Sequence, residues 1–329
     1  MAFTPTFGTG FEMGSVAITP NTDQASCTIE ETVVKTGSYS CELYYASGAR
    51  PFIRWPHSGA YLDFAVWVWP ANAIDPIFKL TAVLDDSSTV ELRRRTSVST
   101  TWDLYIDGAL IESGTVATDN EVWQHVQCRI FIDNSGTVQS KVDGVSDIDY
   151  SGDTQPGASA EIEWFRIDNY ETLSAHYRAR IDDVVYGSGG WPGDIRFDGL
   201  LPTGDVETEW TPSAGVDHYA LVDERPPSDA DYVSAGSPAL RDVYSGGDWS
   251  GTAKTPQFLM QWARAKKDSA GTRQLKFIVS SDSTESAGSL FDLTTAYAYY
   301  KRALMTDPST GSPWTEGAID AVLFGMESG

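Results

Sequence analysis

The chain has 329 residues, of which 41% are hydrophobic and 12% are aromatic, and its formal net charge is −23. This length and hydrophobic content suit about two globular domains and exclude gross disorder. The negative charge repels phosphate, so direct binding to nucleic acid or to an anionic membrane surface is not expected.

The three cysteines, Cys27, Cys41 and Cys128, are too few for a disulfide framework, and buried free thiols are expected. The amino terminus has no basic region followed by an apolar stretch, so no signal peptide is predicted. The longest apolar run, residues 64–69, is too short to cross a bilayer. The sequence therefore predicts synthesis in a cytoplasm.

Strand-like segments follow one another through the first half of the chain, separated by Gly, Asp, Asn and Ser. In chain order they cover residues 37–45, 61–69, 77–84, 90–95, 102–106, 123–132, 137–142, 161–167 and 177–186. Asp107-Gly108 and Asp143-Gly144 are dipeptides typical of tight hairpin turns. Segment 61–69 is almost wholly apolar, so both of its faces are expected to be covered.

Many short strands at roughly ten-residue spacing indicate a β-sandwich or barrel. Side-chain alternation assigns Val, Ile, Trp and Phe to the inner faces of two packed sheets. The same alternation assigns outer-face positions to Arg93, Arg95, Gln127 and Arg129. Trp67 and Trp69 share one strand face and are expected in the core.

The Gly/Pro-rich segment 187–193 predicts a linker, which divides the chain into domains 1–187 and 188–329. The second domain is also β-rich. Its two longest strands are predicted at 257–265 and 273–280, with a turn between them at 267–271. Residues 293–305 suit a strand or a short helix, and a short helix capped by Thr315 is expected within 315–324.

Three motifs of the first domain resemble the concanavalin-like, laminin-G-type jelly rolls. Trp123 opens a strand that runs through an Asn-Ser-Gly turn to Asp143-Gly144, like the tryptophan strand and hairpin of that family. Ile-Asp-Asp-Val-Val-Tyr at 181–186 resembles the closing strand, which returns beside the first, and Gly10-Phe-Glu resembles the opening strand. The resemblance covers about residues 8–188, and it implies a jelly-roll sandwich.

The second domain resembles C-terminal parts of tailed-bacteriophage virion proteins. The similar stretches are residues 217–227 with 231–233, and residues 307–315 leading to 323–327. This resemblance implies a virion part and implies no activity.

Candidate catalytic groups are few. Glu161 and Glu163 share a strand face at roughly 7 Å, but the Glu-x-Asp-x-x-Glu pattern of hydrolases with this fold does not occur. A solvated strand face is therefore favoured over a glycosidase site, and the same holds for Glu207 and Glu209. The histidines, His57, His125, His176 and His218, have no metal-ligand spacing. No catalytic or cofactor-binding residue is assigned.

A metal site is left open. Laminin-G-like domains often hold Ca²⁺ through aspartates and carbonyls at the sandwich rim, and the matching residues are Asp85, Asp86, Asp182 and Asp183. Acidic turns without an ion are the simpler interpretation. No cofactor is required, and Ca²⁺ is a possible ligand.

Three tryptophans lie in loop-like contexts: Trp55, Trp191 and Trp314. Such residues stack on sugar rings or on neighbouring subunits, or they plug the ends of a sandwich. The two interpretations stay open at this point.

The sequence as a whole predicts an all-β protein without enzymatic activity, located in a bacteriophage virion. It would be a capsid decoration, head-fibre or tail-associated subunit that binds other virion proteins, forms homo-oligomers and contacts host-surface glycans. The alternative is a carbohydrate-binding module or adhesin, and a glycoside hydrolase is less favoured.

Overall fold

The computed structural model describes residues 3–16, 21–22, 27–45, 51–70, 76–95, 100–171, 177–249 and 255–329. Almost all regular structure in these residues is β-strand, which confirms the predicted fold class. The chain divides into two compact units, Met1–Phe197 and Asp198–Gly329. The first unit thus extends past the predicted boundary at residue 187. No described helix is long and apolar enough to cross a membrane.

The strands of the first unit are β1 Thr4–Thr9, β2 Asn21–Thr22, β3 Cys27–Glu30, β4 Ser40–Tyr45, β5 Phe52–Pro56, β6 Tyr61–Pro70, β7 Pro76–Leu84, β8 Thr89–Arg95, β9 Trp102–Ile106, β10 Ala109–Ser113, β11 Gln124–Phe131, β12 Gly136–Val142, β13 Val145–Gly152, β14 Ile162–Glu171 and β15 Tyr177–Ser188. They form two antiparallel sheets. Sheet A has the order β13-β12-β11-β6-β15-β4-β3, with β1 also paired to β15. Sheet B has the order β10-β9-β8-β7-β14-β5-β2.

The two sheets pack face to face as a jelly-roll sandwich, as the resemblance implies. Alternate residues of each strand fill the space between them, because successive side chains of a strand point to opposite faces. Leu62, Phe64 and Val66 are fully buried on β6 of sheet A, and Leu80 and Leu92 are buried on β7 and β8 of sheet B. β1 pairs with β15, so the closing strand does return beside the first.

Both predicted Asp-Gly turns are present. Asp107 and Gly108 join β9 to β10, and Asp143 and Gly144 join β12 to β13. All four residues have positive φ angles, between 46° and 83°. Two successive left-handed residues give the turn whose twist matches that of the flanking strands.

The strands of the second unit are β16 Pro202–Thr208, β17 Thr211–Pro212, β18 Val233–Ser234, β19 Arg241–Gly246, β20 Leu259–Ala265, β21 Gln274–Ser281, β22 Thr284–Asp292, β23 Ala298–Leu304 and β24 Leu323–Ser328. A five-stranded sheet has the order β16-β19-β24-β21-β22, and β17–β18 and β20–β23 are separate pairs. A short 3-10 helix covers Tyr219–Leu221.

The two long strands predicted for this unit are present as β20 and β21. They do not pair with each other, because β20 pairs with β23 while β21 lies between β22 and β24. The short helix is present as α1, Glu316–Asp320, and Thr315 caps it by accepting a hydrogen bond from the amide of Ala318. Such local capping is readable from sequence, whereas strand partners separated by tens of residues are not.

Candidate functional site

The outer face of sheet A is crossed by the segment that follows β15. The amide of Gly190 donates to the carboxylate of Asp63 at 2.8 Å, and the amide of Gly193 donates to Gln127 Oε1 at 2.9 Å. Further along, the amide of Phe197 donates to Asp183 at 2.8 Å. Residues 190–197 therefore cover part of this face, so the segment predicted as a linker belongs to the first unit.

The prediction that Trp67 and Trp69 lie in the core is wrong. They occupy the outer face of sheet A, because the alternate residues of β6 fill the core. The ring of Trp67 stacks on His125 at 4.8 Å and lies 3.6 Å from Lys35 Nζ. Trp69 packs under the guanidinium of Arg180 at 4.5 Å. Polar neighbours keep both rings half-buried. The apolar pattern of this strand does not reveal those neighbours.

The outer face of sheet B carries two rows of side chains across five strands. Strand register places the residues of each row directly opposite one another. The first row is Arg54, Arg166, Thr81, Glu91 and Tyr105; the second row is Phe52, Asp168, Lys79, Arg93 and Asp103. We call these ten residues the sheet B grid. At about 4.8 Å between strands, the grid is about 19 Å wide.

Ion pairs connect the charged residues of the grid. Glu91 accepts from Lys79 at 3.1 Å and from Arg93 at 2.5 Å. Arg166 Nε lies 2.6 Å from the carboxylate of Asp168. Glu91 and Asp168 are each 5% exposed, although both point away from the sandwich core. The carboxylates thus form a floor above which the longer cationic side chains extend.

Aromatic rings lie among these charges. The guanidinium of Arg93 lies 4.0 Å from the Tyr105 ring, and that of Arg54 lies 4.1 Å from the ring of Trp164, a neighbour of the grid on β14. Phe52 has both Arg54 and Arg166 at 5.8 Å. Cation–π contacts of this kind orient a guanidinium without neutralising its charge.

Two polar atoms of the grid are buried without a hydrogen-bond partner in the described structure, Thr81 Oγ1 and Arg54 Nε. Thr81 is 1% exposed and occupies the centre of the first row. An unpaired buried hydroxyl costs about 1–3 kcal/mol. Thr81 Oγ1 is thus a buried hydroxyl without a protein partner, and it lies between charged neighbours in the middle of the face.

The two carboxylates of the grid have opposite pKa shifts. Burial opposes the ionisation of Glu91, but the hydrogen bond from Arg93 and the charges of Lys79 and Arg93 outweigh it and lower the pKa. Burial raises the pKa of Asp168 despite its pairing with Arg166. Glu91 and Asp168 lie in different rows on the two strands that flank β7, so the opposite shifts reflect the different surroundings of each carboxylate.

The acid pairs found in the sequence lie elsewhere. Glu161 and Glu163 are exposed, and Glu161 accepts a hydrogen bond from the amide of Gly59 at 2.6 Å. Glu207 pairs with Arg241 at 3.2 Å, and Glu209 accepts from the amide of the same arginine at 2.8 Å. Each pair thus has a structural partner, and neither pair belongs to the grid.

The loop tryptophans have different environments. Trp55 and Trp314 are buried, at 0% and 1% exposure, so neither is available to a ligand. Trp191 lies on the outer face of sheet A, with Lys141 Nζ 4.2 Å from its ring. The sugar-stacking hypothesis therefore fails for the two buried tryptophans.

The calcium candidates form two separate pairs. Asp86 accepts from Ser88 and Ser159 at a turn beside Asp85. Asp182 and Asp183 are fully buried, and their oxygens accept from backbone amides, among them Lys35 and Thr36 on Asp182. Within the described ranges, no group of three or more His, Cys, Asp or Glu is arranged to hold a metal ion. Calcium binding stays a prediction.

Histidines and cysteines take structural positions. All three cysteines are buried free thiols, as expected. His57 contacts the carbonyl oxygen of Tyr61 at 2.8 Å, and His218 Nδ1 lies 2.7 Å from Asp242. His176 and the side chain of Arg95 lie outside the described residues.

Sequence reasoning missed most of the grid, although a signal was present. Of the ten grid residues, the alternation of the sequence assigns only Arg93 to an outer face. Charged residues of both signs recur at outward positions of β7, β8 and β14: Lys79, Glu91, Arg93, Arg166 and Asp168. Opposite charges at facing positions of neighbouring strands can form ion pairs across the strands.

Comparisons with known proteins add solved structures of similar fold. An endo-β-1,4-glucuronan lyase from the fungus Trichoderma reesei has 12% identity and a TM-score of 0.44, over 56% of this chain and 96% of its own. A PL-14 alginate lyase from Aplysia kurodai has 10% identity and a TM-score of 0.42, over 56% and 100%. The carbohydrate-binding module CBM66 from Bacillus subtilis has 12% identity and a TM-score of 0.35, over 50% and 96%.

None of these three is a virion protein. No protein-family model matches the sequence, and no curated protein sequence matches it. Similarity as weak as that to the three structures assigns no activity to this chain.

Two predictions are corrected on this finding. The chain was predicted to be a virion structural protein, but the structures similar to it are carbohydrate-active proteins. It was also predicted not to be an enzyme, but two of the three similar structures are lyases. The short motifs of the second unit gave too little sequence to carry a virion assignment. Location in a virion and homo-oligomerisation stay untested predictions.

Proposed function

We propose that this protein binds a polysaccharide on the outer face of sheet B. The observation that carries the proposal is the sheet B grid itself, in which fixed ion pairs and aromatic rings surround the unpartnered hydroxyl of Thr81. The fold of the similar solved structures, a carbohydrate-binding module among them, is compatible with this function.

The chemistry of the grid suits a sugar chain. Sugar hydroxyls both donate and accept, and neighbouring hydroxyls match the paired oxygens of a carboxylate or the paired N–H groups of a guanidinium. The half-buried rings of Phe52 and Trp164 present apolar surface to the C–H faces of a pyranose, whereas Tyr105 is buried and orients Arg93. The sheet B grid is about 19 Å wide, so it accommodates several sugar rings in a row.

The charge balance of the grid favours a neutral chain. It holds four cations (Arg54, Arg166, Lys79 and Arg93) and three carboxylates (Glu91, Asp168 and Asp103). Most of these charges are already paired within the grid. A hydroxyl-rich ligand adds hydrogen bonds to such a network without breaking it, whereas a polyanion competes with its carboxylates.

A panel of immobilised polysaccharides, probed with the full chain, tests the proposal. We expect binding to at least one neutral polymer. When that polymer is bound, backbone amide hydrogen exchange should slow at β7, β8 and β14. Slowing at β11 and β12 instead would place the ligand on sheet A. Absence of binding across the panel, with and without Ca²⁺, would contradict the function.

A second candidate function is cleavage of the bound glycan. The observation in its favour is the opposite pKa shifts of Glu91 and Asp168, on strands that flank β7. Glycoside hydrolysis needs one protonated acid for the leaving oxygen and one ionised carboxylate. New reducing ends in the binding samples, lost in Asp168→Asn and Glu91→Gln, would support cleavage. Their absence in the wild type would leave binding as the function.

A further inference from the structure

The second unit carries a different kind of face, on the β20–β23 pair. Trp262 lies opposite Lys301 in this pair, and Arg264 lies opposite Tyr299. The alternate residues Ala263 and Leu304 point the other way and are buried in the hydrophobic clusters of this unit. Trp262, Lys301, Arg264 and Tyr299 therefore face away from the core.

The register continues for one more row beyond the strands. Lys266 Nζ lies 4.3 Å from the centre of the Tyr297 ring. The face thus consists of three successive rows, and each row has one cation and one aromatic ring: Lys301 with Trp262, Arg264 with Tyr299, and Lys266 with Tyr297. We call these six residues the cation–aromatic rows. They repeat every two residues, which is about 6.8 Å along a strand.

Ring contacts hold the cations in position. The guanidinium of Arg264 lies 5.0 Å from Tyr297 and 5.3 Å from Tyr299, and Lys301 Nζ lies 5.6 Å from Trp262. Asp229 also accepts two hydrogen bonds of 2.7 Å from the guanidinium of Arg264. Unlike a carboxylate, an aromatic ring leaves the positive charge in place.

The rows are locally cationic in an acidic protein. They hold three cations, of which Arg264 pairs with the carboxylate of Asp229, in a chain whose formal net charge is −23. Burial lowers the pKa of Lys301 to about 8. An anion bound beside this ammonium would favour its charged form and raise that pKa again.

We propose that the cation–aromatic rows bind an anionic polysaccharide whose sugar rings carry carboxylates. A repeating ligand fits a repeating surface: each aromatic ring accepts the apolar face of a sugar, and the cation beside it pairs with a carboxylate. The site is separate from the sheet B grid and does not depend on the function proposed for that grid.

Calorimetric titration of the full chain with polygalacturonate, a polymer of carboxylated sugars, tests the proposal. Lys301→Met and Lys266→Met should each weaken binding at least about tenfold, as the loss of a charged hydrogen bond does. Lys276→Met is the matched control, because Lys276 pairs with Glu327 on another sheet. Lys266 is exposed, so its substitution does not threaten folding.

The outcomes separate this site from the sheet B grid. Loss of polygalacturonate binding in Arg166→Gln, but not in the two lysine variants, would place the anionic ligand on the grid and overturn the inference. Equal binding of poly-glutamate would show that the rows recognise charge alone, which would overturn the sugar assignment. Affinity should fall between pH 7 and pH 9.5 in the wild type and less in Lys301→Arg, and equal pH profiles would contradict the role of Lys301.

Discussion

Lys79 and Glu91 lie on neighbouring strands of sheet B with their charged atoms 3.1 Å apart, and both side chains are largely buried although they point away from the sandwich core. A buried ion pair adds little net stability, because the desolvation of both charges offsets their attraction. Apolar side chains of similar size would hold such a face together as well. The pair and the network around it are therefore better explained by recognition of a ligand than by stability.

Thr81→Val tests whether the unpartnered hydroxyl at the centre of the grid binds a ligand. Valine has nearly the same shape and removes an unpaired buried hydroxyl, so the unliganded protein should be about 1 kcal/mol more stable. Affinity for the polysaccharide should fall about two- to tenfold, the worth of one hydrogen bond. Denaturant unfolding and titration calorimetry measure the two effects.

Thr118→Val is the control for that substitution. The Thr118 hydroxyl is also buried, but it contacts Arg94 Nε at 2.9 Å and the carbonyl of Thr100. Its loss should destabilise the protein and leave glycan affinity unchanged. If Thr81→Val destabilised the protein as much as Thr118→Val, the hydroxyl of Thr81 would have a structural partner in solution.

Trp55→Ala should act on stability alone. Trp55 is fully buried against Phe7 and Phe165, both with ring centres 5.6 Å away. Truncation should cost about 3–5 kcal/mol in the free energy of unfolding and leave the glycan affinity of the folded protein unchanged. Trp164→Ala, beside the grid, should show the reverse pattern in the same two assays. Loss of affinity in a folded Trp55→Ala would reopen a sugar-binding role for Trp55.

The first unit should lose stability as the pH rises through neutrality. Burial and the neighbouring charge of Asp183 raise the pKa of Asp182, and burial also raises that of Asp183, from the ordinary value of 3.8. The folded state then holds protons that the unfolded state has released above about pH 4, so stability falls as pH rises. We expect a loss of more than about 1.4 kcal/mol between pH 5 and pH 8.5.

Thermal unfolding in the presence of a chelator measures this dependence. Asp183→Asn cannot ionise but still accepts the hydrogen bond from the amide of Phe197, so its profile should be flatter. A wild-type profile that rises across this range would contradict the burial argument. A large gain in melting temperature on adding Ca²⁺ would support the predicted calcium site.

Local pattern was sufficient to predict much of the first unit. Side-chain alternation, the Asp-Gly dipeptides and the closing strand at 181–186 depend on neighbouring residues, and each is present in the structure. Segment 187–193 was interpreted as a linker because of its Gly and Pro content, whereas the amides of Gly190 and Gly193 bond to Asp63 and Gln127 on sheet A. Contacts across such sequence distances leave no local signal.

The candidate site was hidden for a related reason. Arg93, Arg94 and Arg95 form a basic run in the sequence, but Arg94 points inward and is 1% exposed, while Arg93 faces outward in the grid. The function of an outward charge depends on what lies on the next strands. Register links Glu91 to Thr81 and Tyr105, and it is set by the whole sandwich.

The most direct test of glycan binding on sheet B compares two matched arginines. Arg166 pairs with Asp168 on sheet B and Arg129 pairs with Asp63 on sheet A, and the two arginine side chains are 37% and 35% exposed. Titration of Arg166→Gln and of Arg129→Gln with a neutral polysaccharide that the wild type binds shows which sheet carries the site. We predict an affinity loss of about tenfold or more in Arg166→Gln, and none in Arg129→Gln, at similar stability. Equal affinity in both variants, or a loss confined to Arg129→Gln, would contradict the assignment of the glycan site to sheet B.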